Sequence, residues 1–178
     1  MKLRLLPITI TAIATAALLF GGWFAYRHYG IEQPLDRIAN AVPGVTSAVV
    51  ETTNGHVNIE VKLEPNADIG EVFRRVKTDG ATEIGGKSLT LTAGEAQSSE
   101  KLEQAWSYAL FDVAQAMENR QYTGIREAMD KLSDKYPGVT ADTAMDEDNV
   151  YVTLRDGASA KFVILPREPA TLEVWPNA

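Results

Sequence analysis

The chain has no cysteine and only two histidines, His28 and His56, among its 178 residues. Without thiols it cannot form disulfide bonds, thiolate metal sites or a lipid anchor on cysteine. With no close histidine pair and no G-x-S-x-G segment, zinc, Cys–His and Ser–His–Asp arrangements also lack parts. The sequence therefore predicts no catalytic residue, no metal ligand and no cofactor-binding residue, and it favours a protein that is not an enzyme.

Charge is missing from the first apolar run. Residues 7–26, PITITAIATAALLFGGWFAY, carry no charged side chain. At about 1.5 Å of rise per residue, such a helix spans the roughly 30 Å hydrocarbon core of a bilayer. The run is longer than a typical signal-peptide core, and bulky Trp23 precedes any cut after Ala25. We expect a retained transmembrane helix, with a cleaved signal peptide or a buried core helix as the alternatives.

The basic flanks of this run predict its orientation. Lys2 and Arg4 precede it, whereas Arg27 alone follows closely. Positive charge is enriched on the cytoplasmic side of membrane spans. We expect a single-pass cell-membrane protein with residues 1–6 as a cytoplasmic tail, residues 27–33 as a tether, and an extracytoplasmic C-terminal region.

Basic residues are scarce beyond the apolar run. All but Lys2 and Arg4 of the 17 basic residues follow it, so 15 basic residues stand against 24 acidic ones, a net charge of −9. Nucleic acid and anionic lipid surfaces both attract basic patches. We therefore expect no nucleic-acid partner and no general adhesion to anionic lipid.

Apolar periodicity predicts an α+β fold built from two small modules. Residues 34–93 indicate the order α-β-β-α-β, with Pro34 opening the first helix and Asn54-Gly55 forming a hairpin turn. Asp68 can cap the second helix, and Ser88–Thr92 forms a short third strand. The side chains expected to face the core are Val57, Ile59, Val61, Leu63, Ile69, Val72, Phe73, Val76, Leu89 and Leu91.

The second module, residues 99–178, reads as two helices followed by an antiparallel sheet. Ser99 can cap a long helix that runs to about Arg120, and Thr123-Gly124 is expected to separate it from the next helix. The helical stripes are Leu102, Trp106, Leu110, Val113 and Met117, then Ile125, Met129, Leu132 and Tyr136. The strands are Val139–Met145, Val150–Leu154 and Ala160–Leu165, with Leu172–Trp175 as a possible last strand.

A repeat links the two modules. Val42-Pro43-Gly44-Val45-Thr46 matches Tyr136-Pro137-Gly138-Val139-Thr140 at an offset of 94. Each copy follows a helix of the same apolar phase and precedes a strand, a turn and an alternating strand. We expect a structural duplication that diverges after Leu154.

Three polar features are candidate sites. Gly86-Lys87-Ser88 resembles the end of a phosphate-binding loop, but it lies between a helix and a strand, so we interpret it as a turn. His56 is expected to be exposed. Asp142 and the segment Asp146-Glu147-Asp148 lack the spacing of a calcium loop and are interpreted as a solvated hairpin. Four aromatic residues are expected in the core, or alternatively around a ligand pocket: Trp106, Tyr108, Tyr122 and Tyr136.

The region 35–91 resembles two families that share the α-β-β-α-β order. Pro43-Gly44-Val45-Thr46-Ser47-Ala48, then Val57-Asn58-Ile59-Glu60-Val61, is similar to the heavy-metal-associated domain. The Cys pair of that family is absent around Tyr29–Gln33, so metal transport is not implied. IANAVPGVTSAVVE, within residues 35–63, resembles the ring-building motif of stage III sporulation AG-type proteins and type III secretion rings.

The second resemblance implies a membrane anchor followed by small modules that assemble outside the membrane. We therefore predict a non-enzymatic structural or interaction subunit of a cell-envelope assembly, which meets itself or a protein partner through the module faces and the helical segment Ser99–Tyr136. An extracytoplasmic ligand-binding or sensing module is the alternative.

Overall fold

The structure, a computed structural model, describes residues 5–53, 55–94 and 98–167, and only the backbone of residues 5–8. It contains a long apolar N-terminal helix and two sheets of three strands each. This architecture confirms the α+β class that the alternating and helical periodicities predict.

Helix α1, Leu5–Arg27, continues directly through a π-helical turn, His28–Glu32, into α2, Gln33–Ala41. The helix is long and apolar enough to cross a membrane, and no part of its apolar window is buried within the protein. The tether predicted over residues 27–33 is thus helical. Pro34 lacks an N–H, and its ring would clash with the carbonyl four residues earlier in a regular α-helix, so the wider turn before it keeps the chain helical.

The first sheet consists of β1, Val45–Thr52, β2, His56–Leu63, and β3, Ser88–Ala93. Strand β2 lies in the centre, antiparallel to β1 and parallel to β3. Helices α3, Ile69–Asp79, and α4, Ala81–Ile84, make the crossover that a parallel pair requires.

The predicted core of this module is confirmed for nine of its ten side chains. The four apolar side chains of β2 are fully buried, and so is the α3 stripe, because alternation and helical spacing each point one face inward. The Asp68 side chain accepts a hydrogen bond of 3.0 Å from the Glu71 N–H, as the cap prediction requires. Leu89 is only half-buried and lies beside a cleft. The short helix α4 was not predicted.

The second region contains two helices and an antiparallel meander. The helices are α5, Glu100–Glu118, and α6, Thr123–Lys135; the strands are β4, Thr140–Met145, β5, Asn149–Asp156, and β6, Ser159–Pro166. The Ser99 side chain caps α5, as predicted, by accepting the Leu102 N–H at 3.3 Å. Thr123 and Gly124 open α6 and do not form the break that the sequence suggested. The possible strand Leu172–Trp175 lies outside the described residues.

The buried face of α5 differs from the predicted stripe. Leu102 and Val113 are buried as expected, but Leu110 is 41% exposed. Alanines occupy the rest of the buried face, because small side chains let α5 approach α6 closely. The predicted stripe followed the larger side chains and so was rotated toward solvent. The alanines that it omitted are Ala105, Ala109 and Ala116.

The two modules pack against each other through the second sheet. One face of β5, with Val152 and Leu154, packs on α5 and α6. Tyr151 on the other face joins the core of the first module, where its ring lies 6.1 Å from that of Phe73. The Arg155 guanidinium also donates across the modules, at 2.7 Å to the Pro65 carbonyl. Strand β5 is therefore covered on both faces.

The repeated Pro-Gly segments adopt the same turn. Gly44 has φ +87° and Gly138 has φ +88°. The closing hydrogen bonds, from the Val45 N–H to the Val42 carbonyl and from the Val139 N–H to the Tyr136 carbonyl, measure 3.1 and 3.0 Å. Proline followed by a glycine of positive φ is the arrangement of a type II turn. After each turn comes an antiparallel strand pair.

Candidate functional site

The junction between α1 and the first module is held by one carboxylate. Glu32 accepts hydrogen bonds from the Arg27 Nε at 2.8 Å and from the Thr52 backbone N–H, and its second oxygen lies 3.4 Å from the His28 Nδ1. Ile31, on the π-helical turn, is buried in the first module's core. The apolar helix is therefore joined to the soluble fold by both a polar clamp and a packed side chain.

An exposed apolar patch lies on α5. Phe111 is 78% exposed and its neighbour Leu110 is 41% exposed, and both lie away from the face that packs on α6. Single exposed apolar side chains are common on protein surfaces. Phe111 is a candidate contact residue because it is the most exposed of the large apolar side chains that the structure describes, and exposed Leu110 adjoins it. We define Leu110 and Phe111 as the α5 patch.

A cleft of about 610 Å³ is lined by residues of both modules. The first module contributes apolar side chains and two lysines, and the β4–β5 turn contributes acidic and amide groups. The Lys77 amine pairs with the Asp148 carboxylate across it, whereas Lys87 and Glu147 have no ion pair within the described residues. The lining residues are Phe73, Lys77, Ala81, Ile84, Gly85, Lys87, Leu89, Glu147, Asp148, Asn149 and Pro166.

The turn and histidine interpretations agree with the structure. Gly85 has φ +60° and stands between α4 and β3, which places Gly86 and Lys87 in a turn and not at the start of a helix. His56 is exposed at the start of β2. Neither region forms a phosphate-binding loop.

Asp146 has a structural role in the β4–β5 turn. Its Oδ1 accepts the backbone N–H groups of Asp148 and Asn149 at 2.9 and 2.8 Å, and its Oδ2 accepts the Tyr151 hydroxyl at 2.7 Å. Burial acts to raise the pKa of Asp146, but these hydrogen bonds outweigh burial and hold the pKa below its usual value. Burial, followed by the bond to this carboxylate, raises the pKa of Tyr151.

The other acidic residues of this region do not converge on one point. Asp142 pairs with Arg155, and Asp148 pairs with Lys77. Within residues 5–53, 55–94 and 98–167, no group of three His, Asp or Glu side chains is arranged to hold a metal ion.

The four aromatic residues do not gather around one pocket. The rings of Tyr108 and Tyr136 lie 6.1 Å apart, and the Lys135 amine stands 3.9 Å above the Tyr108 ring. Trp106 packs on the second core, and Tyr122 stacks under the Arg167 guanidinium. These contacts are consistent with the interpretation of these residues as packing.

Partial signals for some of the features that were not predicted are present in the sequence. Glu32 is the only acidic residue before Asp36, and it follows Arg27 by five residues, one π-helical turn. Phe111 lies outside the apolar stripe that the sequence predicts for α5, which is a signal of its exposure. The cleft depends on how distant segments pack, for which the sequence offers no local pattern. A scan against models of known protein families finds no match for this chain, and a search of curated proteins finds none either.

Proposed function

We propose that this protein is a single-pass membrane protein whose two related modules act outside the membrane as a non-enzymatic interaction subunit of a cell-envelope assembly. The observation that carries the proposal is the unbroken helical path from Leu5 to Ala41. The apolar part of this helix is not buried by the rest of the described chain, as expected for a helix that lies in a bilayer. Helix α2, which continues from it, contributes side chains to the core of the first module. In this proposal the N-terminus lies in the cytoplasm.

The surface of the second module supports the interaction role. The α5 patch offers an apolar anchor, and it lies within the helical segment in which the sequence predicts contacts. Aromatic side chains supply much of the binding energy at protein interfaces. We take a second copy of the chain as the occupant, because the ring-building families that the sequence resembles assemble from copies of one module.

The absence of cysteine makes a direct test possible, since any introduced thiol is unique. We expect Gln115→Cys, at an exposed position one helical turn from Phe111, to form a disulfide-linked dimer in the full chain and in membranes under mild oxidation. In the cysteine-free chain, Phe111→Glu should lower self-association about ten-fold or more, as loss of an anchor residue does. Stability should change by no more than about 0.5 kcal/mol, because the side chain is exposed. Cross-linking yield and sizing in detergent measure these effects.

The matched control is Thr78→Cys, an exposed position of α3 on the first module. It should cross-link far less than Gln115→Cys, and a membrane-impermeant maleimide should label it from outside the cell. Equal cross-linking at both positions, or a chain that stays monomeric at every concentration, contradicts self-assembly. Gln115→Cys adducts with one other protein would show a different partner.

The cleft favours a second candidate, an extracytoplasmic ligand-binding module. Two side chains of opposite charge line it, Lys87 and Glu147, and neither forms an ion pair within the described residues. Such a pair of charges suits a small zwitterion such as a free amino acid. Ligand binding to the folded state raises the unfolding temperature. Stabilisation of the full chain by one amino acid at millimolar concentration, lost in Lys87→Gln, supports this candidate, and no shift with any of them counts against it.

A further inference from the structure

A recess of about 410 Å³ lies where α1 meets the first module. Trp23, Tyr26 and Arg27 form its wall on α1, and Thr52 and Lys87 lie on the opposite side, at the end of β1 and just before β3. The volume is within the range of small-ligand pockets. The recess is distinct from the α5 patch and opens beside the apolar helix.

The charge of this recess is opposite to that of the protein. Two of its seven lining residues, Arg27 and Lys87, are basic and none is acidic, whereas the chain carries a net charge of −7. The scarcity of basic residues argues against general adhesion to anionic lipid. It does not bear on a single basic recess whose two cations come from distant parts of the sequence.

The recess also holds unused hydrogen-bond donors. Within the described part of the chain, the Lys87 amine has no ion pair, and Arg27 engages Glu32 through its Nε alone. Thr52 is 2% exposed, and its hydroxyl has no hydrogen-bond partner among those residues. A buried hydroxyl without a partner is uncommon in folded proteins, and here it stands at the wall of a cationic recess.

The position of the recess relative to a bilayer selects the ligand. Tryptophan and tyrosine at the end of a membrane span lie at the headgroup level. Trp23 and Tyr26 would therefore place the recess among the lipid phosphates. We propose that the recess binds the headgroup phosphate of an anionic phospholipid, between Arg27 and Lys87, with the acyl chains along α1. This inference rests on the membrane anchor of the proposed function.

The test uses the full chain, delipidated in detergent, and counts bound lipid by native mass spectrometry. We expect one phosphatidylglycerol to bind about five-fold more tightly than phosphatidylcholine, the effect of one basic residue near a membrane surface. Lys87→Gln should remove this preference. Lys62→Gln, an exposed lysine at the far end of β2, should retain it as the matched control.

Two further arms separate the alternatives. Inorganic phosphate at millimolar concentration should not displace the lipid; full displacement would assign the recess to free phosphate and overturn the lipid site. Equal binding of the two lipids, or equal effects of Lys87→Gln and Lys62→Gln, would also overturn it. Flotation with phosphatidylcholine vesicles tests the anchor separately. If the chain floats but shows no lipid preference in the mass spectra, only the recess proposal is overturned. If the chain does not float, the membrane anchor itself is overturned.

Discussion

The central strands of the two modules occupy corresponding places but have different surroundings. In the first module, the outer face of β2 carries exposed polar side chains such as Asn58 and Glu60. In the second, the outer face of β5 carries Tyr151 and Thr153, which are buried against the first module. The same order of helix, turn and hairpin thus forms a sheet with one exposed face in the first module and a sheet covered on both faces in the second.

This difference follows from how the two copies continue. The first copy continues into α3 and a parallel strand, and the second continues into a third antiparallel strand. Burial of both faces of β5 makes the second sheet the element that fixes one module on the other. The open face of the first sheet stays available to solvent or to a partner.

Substitutions on the outer faces of the central strands should have the largest effect and the largest contrast. Tyr151 corresponds to Asn58 at an offset of 93, one less than in the Pro-Gly segments, because the pairing of β1 with β2 shifts by one residue between Val45 and Ser47. We expect Tyr151→Ala to lower the free energy of unfolding by about 3 kcal/mol, because a buried aromatic ring is lost. Asn58→Ala should change it by less than about 0.5 kcal/mol. Urea unfolding of the full chain in detergent measures both, and equal effects would contradict the sandwiched position of β5.

The two turn glycines should give a smaller contrast. A side chain at φ near +87° is strained in both turns, by about 1 kcal/mol or somewhat more. A Cβ on Gly44 would also lie 2.8 Å from the Ala67 Cβ, whereas one on Gly138 would meet only the ends of flexible side chains at 3.5 Å or more. Gly44→Ala should therefore destabilise the protein more than Gly138→Ala. Equal losses in thermal unfolding would show that strain alone decides.

The hairpin turns should differ least, and in a pH-dependent way. Because the folded-state pKa of Asp146 is lowered, its stabilising effect is complete above the unfolded-state pKa of about 4 and is lost as the pH falls through the folded-state value. Asp146→Ala should lower stability by about 1 kcal/mol at neutral pH. The effect should shrink at acidic pH.

The control for this prediction lies in the other hairpin. Thr53 corresponds to Asp146 and is exposed, and its hydroxyl donates a hydrogen bond to the His56 carbonyl at 3.3 Å. Thr53→Ala should have a smaller effect that does not vary between pH 3 and pH 7. An Asp146→Ala effect that stays constant over the same range would show that its carboxylate does not contribute as an anion.

Local sequence rules predicted the local parts of this fold. Alternation along β2, the caps at Asp68 and Ser99, and both Pro-Gly turns depend on neighbours within a few residues, and the structure contains each of them. The errors lie where distant contacts decide. The alanine face of α5 is one such error, because α6 packs on it. The π-helical turn is a different error: its cause, the ring of Pro34, is local, but the sequence predicted a tether there.

The functional surfaces were less predictable than the fold. Phe111 lies outside the predicted stripe of α5, but a phenylalanine is as typical of a core as of a contact surface, and its high exposure is seen only in the structure. Lys87 lies in a turn, as the sequence predicts. Its approach to Arg27 follows from the parallel pairing of β2 and β3, which the order of elements does not specify.

The helical junction has a consequence for the proposed membrane anchor in bilayers of different thickness. A span that is longer than the local hydrocarbon layer adjusts by tilting. Since the helix enters the first module with no intervening loop, and Glu32 and Ile31 hold it there, that tilt is passed on to both sheets. The direction in which α5 faces a neighbouring protein would then depend on the lipid composition around the anchor.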